Sequence, residues 1–125
     1  MPRPLIATLL GFLFALAPLG AALAHHGWSW TEDGFFELRG TVTDIAYANP
    51  HPVITLDVEG ESWRVELAPP AATARAGFEA DTAKVGDELT AVGNRAQDAG
   101  ERRMKAVRIT VGGQTFDVYP SRVPQ

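Results

Sequence analysis

Short runs of alternating apolar and polar residues are the feature that most limits how this chain can fold. Such runs cover residues 36–47, 54–58 and 63–67, and the first breaks phase near Asp44. Alternation with a period of two places successive side chains on opposite faces, so each run predicts a half-buried β-strand. A bulge near Asp44 would bend the first strand. The pattern therefore predicts a meander of three strands.

The rest of the chain predicts one short helix and three more strands. Alanines and an arginine favour a helix over residues 71–78, and Gly77 lies near its end. Further strands are expected at residues 88–92, 104–111 and 115–119, with a polar loop at 93–103 and a fraying end at 120–125. This order predicts an all-β fold, an OB-like five-stranded barrel with one short helix after strand 3 and an extra C-terminal hairpin strand. An open β-sandwich is the alternative.

The first 24 residues have the pattern of a secretory signal. Arg3 precedes an uncharged apolar run at residues 5–19, and Ala22-Leu23-Ala24 has the small-x-small form of a cleavage site. The apolar run is shorter than the roughly 20 residues that span a bilayer. We expect cleavage after Ala24, a periplasmic or secreted single domain at residues 25–125, and no transmembrane segment in the mature chain. Cleavage after Ala22 is the alternative.

Composition removes several classes of function. The 125 residues include no cysteine, so the chain has room for one domain and forms neither a disulfide nor a thiolate metal site. The formal net charge is −4 and no long basic run is present, which argues against nucleic-acid binding. No serine lies in a G-x-S-x-G context. We expect a binding protein, with a periplasmic protein as a possible partner, and not an enzyme.

Several short motifs together resemble a known family. They are His25-His26-Gly27-Trp28-Ser29-Trp30, Gly40-Thr41-Val42, Asn49-Pro50-His51, Trp63-Arg64-Val65-Glu66-Leu67 and Val85-Gly86-Asp87. The chain resembles, on these motifs, a family of small exported bacterial proteins of unknown function. The resemblance covers nearly all of the mature chain and implies a periplasmic OB-like barrel without an assigned activity. A weaker analogy, in fold and compartment only, is to periplasmic OB-fold copper carriers.

The three histidines predict a metal site. Cleavage after Ala24 makes His25 the first residue, so its α-amine and imidazole can chelate one metal ion, and His51 lies in the predicted first turn. Two such nitrogens with a further imidazole form a histidine brace, a nitrogen set that suits Cu(II). The α-amine has a reference pKa of about 8 and imidazole one of about 6.5, so a metal ion needs to displace few protons from them near neutral pH. The predicted copper ligands are His25 and His51, with His26 as an alternative.

Chain geometry is the main objection to this site. If Asp33-Gly34 forms a tight hairpin, His25 pairs near Thr41 or Val42, whereas His51 pairs near Ala48. About five or six residues of strand then separate the two histidines, a distance of roughly 16 to 20 Å at about 3.3 Å per residue. One metal ion cannot bridge that distance. The site then requires the terminal residues to cross the barrel more directly, the bend near Asp44 to close the gap, or ligands from two chains.

Three interpretations remain open at the level of sequence. The first is a copper-binding protein that holds or delivers the metal, in which Trp28 and Trp30 form a possible aromatic surround. The second is a non-catalytic OB-type module whose first-turn region and aromatic terminal segment bind a protein, peptide or small molecule, with incidental histidines. The third is a copper oxidoreductase. Independently of these interpretations, Phe36 and at least one of the two tryptophans are expected to pack in the core. The basic stretch at residues 102–105 is expected to be a solvated strand end.

Overall fold

The predicted three-strand meander forms the first half of the fold. The computed structural model describes residues 27–125. In this part of the chain the elements are β1 (Phe36–Ala46), β2 (Val53–Val58), β3 (Glu61–Glu66), α1 (Pro70–Arg75), β4 (Glu88–Arg95), β5 (Arg103–Val111), β6 (Gln114–Asp117) and a C-terminal 3-10 helix (Pro120–Arg122). The sheet order is β3-β2-β1-β4-β5-β6.

A parallel pairing closes this sheet into a barrel. β3 pairs with the first part of β5, where Val65 lies opposite Met104 and Glu66 opposite Lys105. β6 pairs with the second part of β5, so it lies outside the closed ring of five strands. Closure removes the open edges that a sandwich would retain. The all-β, OB-like barrel with one short helix and an extra strand is confirmed, and the open sandwich is excluded.

The barrel interior and the helix side form one hydrophobic core. Its largest fully buried side chains are Ile54, Leu56, Leu67, Phe78, Leu89, Met104 and Ile109. Phe78 packs edge-on against Phe116 with ring centroids 5.6 Å apart. Thr73, buried in α1, satisfies its hydroxyl by donating to the Ala68 carbonyl at 2.7 Å. Met104 of β5 is fully buried and fills core space.

Two irregularities bend the barrel strands. The β1–β2 register shifts between Val42 and Asp44, which confirms the phase break read from the sequence. The β4–β5 register shifts between Val92 and Gly93. The prediction that strand 4 ends at residue 92 was wrong, because Gly93 is no strand terminator here. A Cβ at Gly93 would lie 2.0 Å from the Lys105 carbonyl oxygen, so glycine permits a close approach of two backbones.

Three other local predictions need correction. The helix ends at Arg75 and not at residue 78, because the chain turns through Gly77 at φ +95°. The expected fraying of residues 120–125 was wrong for 120–122, which form the 3-10 helix. The assumed hairpin at Asp33-Gly34 is absent, since Thr31 instead forms an isolated bridge with Ala96. None of the helices in residues 27–125 is long and apolar enough to cross a membrane.

Candidate functional site

The residues that precede β1 dock onto the loop between β4 and β5. We call residues 27–34 the terminal segment. The Gln97 amide side chain donates to the Thr31 carbonyl at 2.9 Å, and the Gln97 backbone N–H donates to the Trp30 carbonyl at 2.9 Å. The Asn94 side chain donates to the carbonyls of Glu32 and Gly34 at 3.1 and 2.8 Å. These bonds hold the segment against the end of β4 and the loop that follows it.

A pocket lies where the terminal segment reaches β5. Its volume is about 370 Å³, and its lining comes from five separate parts of the chain: Gly27, Trp28, His51, Pro69, Lys105, Tyr119 and Arg122. We call it the His51 pocket. The volume lies within the range of small-molecule sites, and the lining combines apolar walls with a few polar groups, as such sites do.

His51 lines this pocket and has one unsatisfied ring nitrogen. It lies in the connection between β1 and β2, flanked by Pro50 and Pro52, and its Nδ1 is buried without a hydrogen-bond partner among the described residues. Burial lowers the pKa of the imidazole, and the positive charge of Lys105 lowers it further, against a smaller opposing effect of Glu66. The imidazole is therefore held in its neutral form, which leaves a nitrogen lone pair for a metal ion or a hydrogen-bond donor.

Lys105 is the buried cation of the pocket. It is only 2% exposed, and its Nζ donates to the Gly27 carbonyl at 2.8 Å. The same atom lies 4.9 Å from the ring centroid of Trp28 and 5.7 Å from that of Tyr119. Burial lowers the pKa of the ammonium group, and the Glu66 carboxylate partly offsets this effect. Lys105 thus ties the terminal segment to β5 through a charged hydrogen bond and aromatic contacts.

The aromatic side chains of the terminal segment stack against cations. Trp28 packs edge-on against Tyr119 at 4.9 Å, and the Arg122 guanidinium lies 4.1 Å from the Trp28 ring centroid. The Arg103 guanidinium lies 3.7 Å from the ring centroid of Trp30. Trp28 therefore lines the pocket beside His51, whereas Trp30 lies outside its lining. Phe36 packs against the hydrophobic core cluster, as predicted. The prediction that Trp28 or Trp30 also packs in the core was wrong, because both rings contact cations at the surface of β5 and the 3-10 helix instead.

The prediction of a solvated basic stretch at residues 102–105 was wrong for two of its members. Arg103 covers Trp30 and Lys105 faces Trp28, while Arg102 remains exposed and pairs with Glu61. A signal for these contacts is present in the sequence. The two tryptophans and the two cations are each spaced by two residues, and each cation of the pair on β5 lies over one tryptophan.

His25 and His26 lie outside the described residues. Gly27 directly follows them in the chain, and it lines the pocket together with His51. The estimated separation of 16 to 20 Å depended on a hairpin that does not form, so that objection does not apply. Within residues 27–125 no group of three or more histidine, cysteine or acidic side chains is placed to hold a metal ion. From this part of the chain, the predicted ligand set can draw only on His51.

A family model matches most of this chain. The model is that of a family of unknown function (DUF6152), and it matches residues 15–105. The chain belongs to this family. The matched range contains the three histidines, the terminal segment and Lys105, while Tyr119 and Arg122 lie beyond it. Membership in DUF6152 agrees with the resemblance to a family without an assigned activity.

A likeness to solved structures supports the fold alone. A chain of the S. pombe Stn1-ten1 complex superposes with a TM-score of 0.51 at 17% sequence identity, over 62% of this chain. The match spans 57% of the length of that other chain. A search of curated proteins found no match. Any assignment of function to this DUF6152 protein therefore depends on its own site.

Proposed function

We propose that the mature protein is a periplasmic copper-binding protein that holds or delivers the metal. Its ligands are the α-amine and imidazole of His25 together with the imidazole of His51, with His26 as the alternative second imidazole. The observation that supports this most strongly is that Gly27 and His51 line one pocket. Residues far apart in the sequence thereby approach each other within a single chain.

Chain length makes the proposed ligand set reachable. Two peptide units separate the Cα atoms of Gly27 and His25, and each spans at most about 3.8 Å. The Lys105 hydrogen bond fixes the Gly27 carbonyl at the pocket wall. An amine and an imidazole that begin within roughly 8 Å of this anchor can reach a metal ion beside His51. The proposed site therefore draws all its ligands from one chain.

The chemistry of the pocket favours a nitrogen set around copper. The buried, unpartnered Nδ1 of His51 is one donor, and a terminal histidine adds two nitrogens in one chelate ring. Cu(II) heads the divalent affinity order and accepts planar nitrogen ligands. The ring of Trp28 lines the same pocket and would form part of the apolar shell around the metal. Holding or delivering the metal requires no further group.

Competition titration of Cu(II) tests this proposal on protein that begins at His25. Variants His51→Ala and His25→Ala are expected to weaken Cu(II) binding by at least about 100-fold, because each removes a direct ligand. His26→Ala is the matched control and should retain wild-type affinity. The electron paramagnetic resonance spectrum should change in His51→Ala and remain unchanged in His26→Ala. Circular dichroism establishes that each variant is folded.

Two results would contradict the role of His51 as a copper ligand. One is wild-type copper affinity in His51→Ala together with a loss in His26→Ala, which places the metal on the terminal residues alone. The other is equal affinity of the intact protein and a synthetic peptide of residues 25–31, which shows that the barrel contributes nothing. Absence of copper binding at micromolar concentration would leave the second interpretation, a non-catalytic OB-type binding module.

A further inference from the structure

The His51 pocket carries two cations that lack a carboxylate partner. Lys105 forms its wall at 2% exposure, and Arg122 is exposed in the 3-10 helix. Within residues 27–125 no carboxylate lies within ion-pair distance of either side chain; the nearby Glu66 pairs with Arg103 and with Arg64. Arg75, Lys84 and Arg95 also lack an ion pair within residues 27–125, but none of them lines this pocket.

The two cations also act on one another through a shared surface. Lys105 Nζ and Arg122 Cζ lie 4.9 and 4.1 Å from the same ring centroid, that of Trp28. Like charges on one ring repel, and the Arg122 charge helps to lower the pKa of Lys105. The ring quadrupole offsets only part of this repulsion. A bound negative charge near both groups would reduce this repulsion.

Lys105 and Arg122 also have hydrogen-bond donors without an acceptor among the described side chains. A lysine ammonium has three donors and a guanidinium has five. Among the described residues the ammonium of Lys105 has one acceptor, the Gly27 carbonyl, and the Arg122 guanidinium has no side-chain ion pair. His51, whose Nδ1 is buried without a partner among these residues, lines the same pocket. Both cations therefore have donors available for a ligand that enters.

We propose that the His51 pocket binds a small organic carboxylate, with Lys105 and Arg122 as its charged donors. The carboxylate fits the two donors, because a guanidinium and a carboxylate form two parallel hydrogen bonds. Trp28, Tyr119 and Pro69 supply apolar walls, which favour an organic body over an inorganic anion. The volume of about 370 Å³ also exceeds what a single inorganic ion fills. This site does not depend on copper.

Calorimetric titration with benzoate, in the presence of a chelator, tests the proposal on mature metal-free protein. Benzoate is expected to bind, and its uncharged analogue benzamide should bind at least about tenfold more weakly, because the loss of one charged hydrogen bond costs that much. Arg122→Gln and Lys105→Met should each weaken benzoate binding by about tenfold or more. Arg75→Gln, which removes an exposed arginine outside the pocket, is the control and should bind as wild type.

The fluorescence of Trp28 gives a second measure of binding, which is independent of the heat measured by calorimetry. Benzoate should change the emission of the wild type and leave that of Trp28→Phe unchanged. Undetectable binding at millimolar benzoate, or wild-type affinity in both Arg122→Gln and Lys105→Met, would overturn the site. Equal binding of inorganic phosphate and benzoate would overturn the assignment to an organic anion. Since the chelator removes metal, none of these results depends on whether copper binds.

Discussion

Replacement of Lys105 by methionine should release the terminal segment while leaving the barrel folded. The change removes the hydrogen bond from Nζ to the Gly27 carbonyl and the contact with the Trp28 ring. Methionine keeps a long apolar side chain at a position that is 2% exposed, so the packing against β5 is retained. The effect is therefore expected on docking of the segment and not on the core.

The size of this effect follows from two contributions that stabilise docking and one that offsets them. A hydrogen bond from a charged donor stabilises by about 1.5 to 3 kcal/mol, and a cation–π contact adds about 0.5 to 1 kcal/mol. Methionine also removes the cost of covering an ammonium group, a cost that the lowered pKa of Lys105 makes evident. The net loss of docking free energy is about 2 kcal/mol, which corresponds to roughly 30-fold more frequent opening of the segment.

Hydrogen exchange measured by nuclear magnetic resonance gives this quantity directly. The Thr31 and Gln97 amides, bonded to the Trp28 and Trp30 carbonyls, should exchange about 30-fold faster in Lys105→Met. An amide of the barrel, that of Leu67, should exchange at the wild-type rate. The chain's other lysine supplies the control Lys84→Met, which is exposed and should change neither. Equal acceleration of all amides, or none, would refute the role assigned to Lys105.

Substitutions at a bulge, in the core and on the outer strand give three further checks. Gly93→Ala should destabilise the protein by about 3 kcal/mol in urea unfolding, because its Cβ would lie 2.0 Å from a carbonyl oxygen of β5. Gly34→Ala, at φ +97° with open space around it, should cost only about 1 to 2 kcal/mol. A larger loss of stability in Gly34→Ala than in Gly93→Ala would contradict the close approach at Gly93. Phe78→Ala should cost about 3 to 5 kcal/mol in the same assay, since the ring is fully buried; a loss below 1 kcal/mol would contradict its place in the core. The hydrogen bond from Arg108 lowers the pKa of Asp117, so its stabilisation is present above the unfolded value of 3.8 and is lost as pH falls through the folded pKa; Asp117→Asn should thus be less stable than wild type at neutral pH and equal to it at the acid end, and a pH-independent difference would contradict this.

The barrel was predictable because its signals are local. Alternation in β1, β2 and β3 sets which faces are buried, and the phase break near Asp44 marks the bulge that lets β1 bend. The order of three strands, a helix and two strands then selects a closed sheet. What the pattern does not reveal is the continuation of β4 beyond Gly93, because a glycine that ends a strand and one that permits a close approach look alike in sequence.

The pocket was only partly predictable because its contacts are long-range. His51 and Trp28 attract attention as residue types, yet nothing local indicates that Lys105 is buried or that Arg122 reaches back to Trp28. A lysine on a strand ordinarily predicts a solvated position. The path of the terminal segment was misjudged for the same reason, since the Gln97 and Asn94 side chains that hold it lie at least 60 residues away in the sequence.

Native mass spectrometry of the protein exported with its own signal and isolated from the periplasm tests the central claim most directly. One spectrum reports both where the mature chain begins and what it carries. The proposal predicts a chain that begins at His25 with one copper ion, and the same chain without copper in His51→Ala. A chain that begins at His25 and takes up no copper at micromolar concentration would contradict the copper site.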